Sequence, residues 1–145
     1  MDETHTRYGI PDVELERPGE GIVNPANFIG HELVVLFCPT DPDAAAREVA
    51  DYALHIDELC QSDAWLLGVC DDEELSCEHV KPSLMMARDR ERLAWDAFQN
   101  LLKPSKRTSR EGGAVFLFDR GGGLRQSWAN SGHARDVARA VLERR

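Results

Sequence analysis

Leu33-Val34-Val35-Leu36-Phe37-Cys38-Pro39-Thr40-Asp41-Pro42-Asp43 reads as a buried strand, a turn and the mouth of a helix. Its first five residues form a continuous apolar run, the pattern of a central strand covered on both faces. Cys38-Pro39-Thr40 turns the chain; Asp41 suits the N-cap, Pro42 the first helical position and Asp43 the positive end of the helix dipole. From there Ala45, Val49, Tyr52, Ala53, Ile56, Leu59 and Cys60 recur at three- and four-residue spacing. That spacing predicts one helix with an apolar face, with Arg47, Glu48, Asp51, Asp57 and Glu58 in water. Trp65-Leu66-Leu67-Gly68-Val69 is a second buried strand. The unit is therefore a right-handed parallel crossover, with ligands expected at the carboxyl ends of its strands.

The second half continues the architecture in the opposite sense. Pro82–Met86 reads as a short strand, and Asp89 caps a helix whose Leu93, Ala94, Ala97, Phe98 and Leu101 share a face; Lys103-Pro104-Ser105-Lys106 ends it. After a basic loop through Arg110, Ala114–Phe118 and Leu124–Trp128 flank the glycine-rich Asp119–Gly123 as a β-hairpin. Ser131 or Asn130 then caps a last helix with Ala134, Val137, Ala138, Val141 and Leu142 on one side. The expected fold is α/β, a mixed central sheet with helices on both faces, in one domain spanning 1–145.

Composition bounds the function. With 145 residues, 42% of them apolar, the chain suits one compact domain with an ordinary core. Residues 1–17 lack the apolar segment of a signal peptide and no run of eighteen apolar residues occurs, so a cytoplasmic protein without a membrane span is expected. A formal charge of -9 argues against nucleic acid, which rewards clustered Lys and Arg. Cys38, Cys60, Cys70 and Cys77 are expected as free thiols, and Cys60 as core.

These segments resemble the thioredoxin-like superfamily, and within it the peroxiredoxins of the alkyl hydroperoxide reductase and thiol-specific antioxidant type, in their bacterioferritin-comigratory-protein-like branch. Ile10–Leu15 looks like that family's opening strand, Asn24–Phe37 its lead-in and first central strand, Phe116–Gly122 its hairpin and Gly132–Val137 the start of its last helix. The resemblance implies a thiol peroxidase site built on F-x-P, then Thr four residues past the Pro and Cys three further. Here Phe37 and Pro39 match, whereas Asp43 replaces the Thr and Ala46 the peroxidatic Cys. Counting back from Asp119, the arginine that the family keeps beside its thiolate falls on Gly113; Arg110 or Arg107 substitutes only if the loop slides. The same position would carry the cis-proline of an ordinary thioredoxin, and no C-x-x-C occurs. Asp43 would moreover raise the pKa of a nearby thiolate.

Other residues carry weaker chemistry. Cys38 and Cys70 end neighbouring strands, which lie about 5 Å apart, so a reversible pair is geometrically open to them. Their bland reading is two small buried hydrophobes. Cys70-Asp71-Asp72-Glu73-Glu74 with Cys77 and His79 has metal-ligand types but no familiar zinc spacing, and no metal or other cofactor is expected. His133 reads as a surface residue, Met85 and Met86 as packing, and Gly121–Gly123 as a turn and not a phosphate loop.

Two function classes follow. One is a peroxiredoxin-like protein without standard peroxidase activity, acting as a binding or interaction module toward a protein partner or small molecule. The other is a thiol-dependent antioxidant oxidoreductase using Cys38, with Cys70 as its resolving partner. Trp95, Trp128 and Phe28, taken as exposed aromatics, point to a homodimer.

Overall fold

The computed structural model describes residues 6–7, 9–17, 19–71 and 84–143. Its elements in chain order are β1 (Thr6–Arg7), β2 (Ile10–Pro11), β3 (Leu15–Arg17), β4 (Gly21–Val23), β5 (Glu32–Phe37), α1 (Pro42–Ala53), α2 (Ile56–Gln61), β6 (Ala64–Cys70), β7 (Leu84–Arg88), α3 (Leu93–Gln99), β8 (Ala114–Phe118), β9 (Leu124–Ala129) and α4 (Ala134–Leu142). A seven-stranded mixed sheet runs in the order β4-β3-β7-β6-β5-β8-β9. β5 pairs parallel with β6 and antiparallel with β8, and β6 is parallel to β7. This is the expected α/β architecture, widened at one edge by the short β3 and β4.

β5 is central because all six of its residues are apolar enough, or well enough paired, to be buried on both faces. Val34, Leu36 and Cys38 face a core formed with α1, α2 and α4, while Leu33, Val35 and Phe37 face a second core that includes Trp95 and Phe98 of α3. The alternation follows from the two-residue period of a strand. It also decides where the chemistry sits, because Cys38 and Phe37 leave the strand on opposite sides.

Asp41 caps α1 as expected, accepting the Ala44 N–H at 2.9 Å, with Pro42 opening the helix. The single helix expected through Cys60 is two, broken at Leu54 and His55. The break resets the rotation, so Ile56 and Leu59 point inward while Cys60 is exposed and not core. Glu48 reverses another expectation: it lies on the inward face with Ala45 and Tyr52 and is only 3% exposed. Trp95 of α3 is buried, while Phe28, packed on the Trp65 ring, and Trp128, packed on the core, are half-buried, so none of the three aromatics behind the homodimer expectation is fully exposed. Leu93, expected on the buried face of α3, is exposed. Asp89 does serve that helix, its carboxylate accepting the N–H groups of Ala94 and Trp95 at 2.9 Å each. Burial pushes the Asp89 carboxyl up despite these two bonds. The last helix has no side-chain cap from Asn130 or Ser131; His133 occupies the N-cap position and its Nε2 is 2.8 Å from the Ala129 carbonyl.

Candidate functional site

The carboxyl ends of β5 and β6 meet at Cys38 and Cys70. Phe37 pairs with Val69, and the Cys38 N–H carries the ladder on by donating to the Val69 carbonyl at 2.9 Å. Cys38 and Cys70 therefore end adjacent parallel strands side by side. Both thiols are free, Cys38 fully buried and Cys70 5% exposed, and both side chains enter the same core cluster. The neighbouring Cys70 thiol, followed by burial, pushes the Cys38 thiol well up from its ordinary value; the Arg110 cation pulls it down, but not far enough to offset them.

Arg110 reaches this site by a route that counting along the chain does not reveal. A helical turn over Arg110–Gly112 is closed by the Gly113 N–H donating to the Arg110 carbonyl at 3.1 Å, and Thr40 N–H donates to the Glu111 carbonyl at 3.1 Å. The turn is thereby stitched to the segment after β5. The Arg110 side chain, 3% exposed, donates from Nη1 to the Cys38 carbonyl and sets Nη2 at 3.4 Å from Asp71 Oδ1. Its guanidinium lies 5.8 Å from the Phe37 ring centre and 5.3 Å from that of Trp95, a cation held between two aromatic faces. Its Nε has no hydrogen-bond partner among the described residues. Asp71 also accepts from Arg92 Nε at 3.2 Å.

Gly113, where the family's arginine was expected, cannot carry a side chain. Its φ is 77°, and an added Cβ would stand 2.4 Å from the Phe37 carbonyl oxygen and 3.1 Å from the Pro39 nitrogen. The cation that reaches the Cys38 carbonyl is that of Arg110. Pro39 is buried beside it, whereas Asp43 and Ala46 are both exposed on α1. The carboxylate acting on Cys38 is accordingly Glu48 and not Asp43.

Glu48 accepts the Gly132 N–H on both oxygens at 3.1 Å, tying α1 to the loop before α4. Burial raises its pKa, with the Gly132 bond opposing the shift and Asp51 adding to it. Beside it the Tyr52 hydroxyl is buried with no hydrogen-bond partner among the described residues, and its pKa is pushed far up by burial. A carboxyl whose pKa is raised on folding binds its proton more tightly in the native state, so its contribution is fully present below the ordinary Glu range and is lost as pH rises through the folded value. Glu48→Gln keeps an acceptor for Gly132 but removes the titration. In urea unfolding, the stability of the variant relative to the parent is expected to shift in the variant's favour from about pH 4 to about pH 7. A difference independent of pH would show that Glu48 keeps its ordinary pKa.

Both Glu48 and the Asp71 partnership of Arg110 escaped the sequence reading. The signal for Glu48 was present, since Ala45, Glu48 and Tyr52 share a helical face. Of the residues in the acidic metal-ligand cluster, Asp72, Glu73, Glu74, Cys77 and His79 lie outside the described residues. Among the described residues no group of three or more potential metal ligands comes together, and no helix is long and apolar enough to cross a membrane.

No family model and no curated protein matches the sequence. Solved structures do match. The bacterioferritin comigratory protein of Xanthomonas campestris, described with alkyl peroxide reduction activity, superposes with a TM-score of 0.77 at 22% identity, covering 100% of this chain and 97% of that one. Peroxiredoxin Q of the same organism gives 0.75 at 22% identity over 92% of each chain. The mitochondrial 2-Cys peroxiredoxin of Plasmodium falciparum gives 0.65 at 19% identity, covering 90% and 86%. The chain therefore has the thioredoxin-like fold in the form seen in the peroxiredoxin Q and bacterioferritin comigratory proteins.

Proposed function

We propose that this protein uses the peroxiredoxin form of the fold as a binding or interaction module, without standard thiol peroxidase chemistry. The observation that carries this reading is the state of Cys38, fully buried and with its thiol pushed up, where peroxide attack needs an accessible thiolate. Ala46, at the position that resembles the peroxidatic one, supports it, since an exposed alanine supplies no nucleophile. Arg110, the substitute cation, is engaged with the Cys38 carbonyl and Asp71. It acts as a structural clamp in this reading, and the partner is a protein, a second copy of the chain or a small molecule.

A second reading is favoured by the adjacent strand ends, which place both cysteines in one core cluster: Cys38 and Cys70 as a reversible pair in a thiol-dependent oxidoreductase. Hydrogen peroxide consumption with dithiothreitol as reductant, together with mass mapping of all four cysteines, separates the two. The expected result is consumption at the rate of free thiol, unchanged by Cys38→Ser. Consumption well above that rate, with oxidation concentrated on Cys38 or on a Cys38–Cys70 disulfide and lost in Cys38→Ser, would establish the second reading.

A further inference from the structure

The basic loop after α3 differs in charge from the rest of the chain. Between Asp96 and Glu111 the sequence holds four cations, Lys103, Lys106, Arg107 and Arg110, and no carboxylate, although acids outnumber bases 26 to 17 overall. Arg110 turns inward to the Cys38 carbonyl and Asp71. Lys103, Lys106 and Arg107 stay exposed, and among the described residues no carboxylate pairs with any of them. By contrast Arg17 pairs with Glu20, Arg88 and Arg90 with Glu16, and Arg92 with Asp71. Nor is the loop slack. The Lys106 N–H donates to the Lys103 carbonyl at 2.8 Å, which brings their Cα atoms within about 7 Å. Arg107 Nε donates to the carbonyls of Gln99 and Leu102 at 3.0 and 3.2 Å, and the Thr108 N–H to Gln99 Oε1 at 3.0 Å. These bonds fasten the turn to the end of α3 and leave both Arg107 Nη groups without a partner among the described residues.

We propose that the turn over 103–107 is the docking surface for a short acidic segment of a partner protein, whose Asp or Glu carboxylates face the three exposed cations. The turn is already fastened, so binding there costs little ordering of the backbone. With Nε committed to two carbonyls, Arg107 still presents the end-on fork of its Nη groups, which matches a carboxylate. The extent of the patch selects the partner. Cations confined to one turn suit a short run of carboxylates, whereas a nucleic acid would carry its phosphates on past the turn and across a chain whose net charge is -9. A free small anion is not enclosed there, because all three side chains are exposed and their charges are screened by salt. The inference rests on the interaction-module reading and gives that module its partner chemistry.

Fluorescein-labelled hexaglutamate titrated with the reduced full chain at low ionic strength, and read by fluorescence anisotropy, tests it. The expected result is saturable binding that weakens as salt is raised, with labelled hexaglutamine giving none. Lys103→Glu combined with Lys106→Glu should weaken that binding at least about tenfold. Arg47→Glu combined with Arg135→Glu is the control: it removes the same charge from exposed positions on α1 and α4, and should leave the affinity close to the parent's. All four side chains are exposed, and urea unfolding midpoints check that both variants fold. No saturable binding, equal weakening in the two double variants, or tighter binding of an oligothymidylate than of the peptide would overturn the proposal. Peroxide consumption is read separately. Consumption at the rate of free thiol without peptide binding strikes the docking surface alone, whereas consumption well above that rate strikes the interaction-module reading.

Discussion

Gly113→Ala is expected to destabilise the protein by at least about 3 kcal/mol, lowering the thermal midpoint by roughly 6–12 °C for a domain of this size. The backbone there has φ 77° and ψ -175°, a region open essentially to glycine alone. The atom an added Cβ would strike, at 2.4 Å, is the Phe37 carbonyl oxygen. That oxygen belongs to the end of a fully buried strand, so it cannot swing aside as a flexible side chain would. Gly30→Ala is the control: its φ is also positive, at 99°, but an added Cβ meets nothing within 4 Å. It should cost only about 1 kcal/mol, the strain of the left-handed region without the collision. Equal losses in the two variants, read from urea unfolding midpoints, would mean that the 110–113 turn relaxes freely and does not fix Arg110.

The strand at Leu33–Phe37 and the Asp41–Pro42 helix start were legible because each depends on a few adjacent residues and one physical rule. The adjacency of Cys38 and Cys70 was legible for a related reason: both end strands of one crossover unit, and parallel pairing brings such ends together. The placement of Arg110, named beside Arg107 only as a substitute, was not, because it is delivered by a turn whose closure depends on Gly113 meeting β5, a contact distant in sequence. Counting residues assumes an extended approach, and here the chain coils before it enters β8. Glu48 was misread for the opposite reason. Its position on the apolar face was visible, but its residue type was given more weight than its phase, and the Gly132 N–H that makes its burial tolerable lies 84 residues away.

Arg110→Met should cost roughly 3 kcal/mol, the lower end of the range for breaking a buried ion pair from one side. Methionine fills much of the volume and keeps contact with Phe37 and Trp95, so the loss reports charge and hydrogen bonding more than a cavity. Without the guanidinium, the Cys38 carbonyl loses its donor and Asp71 loses its buried partner. Asp71 remains 27% exposed and retains Arg92, which is why the upper end of the range is not expected. Arg110→Lys should lose less, since the charge survives while the planar fork does not. The decisive comparison is Arg110→Met with Asp71→Asn, in which no charge is left uncompensated at the clamp and a substantial part of the loss should return. If the double variant is as unstable as the sum of its single changes, the pairing with Asp71 contributes nothing. The clamp would then act through the Cys38 carbonyl and the two rings alone.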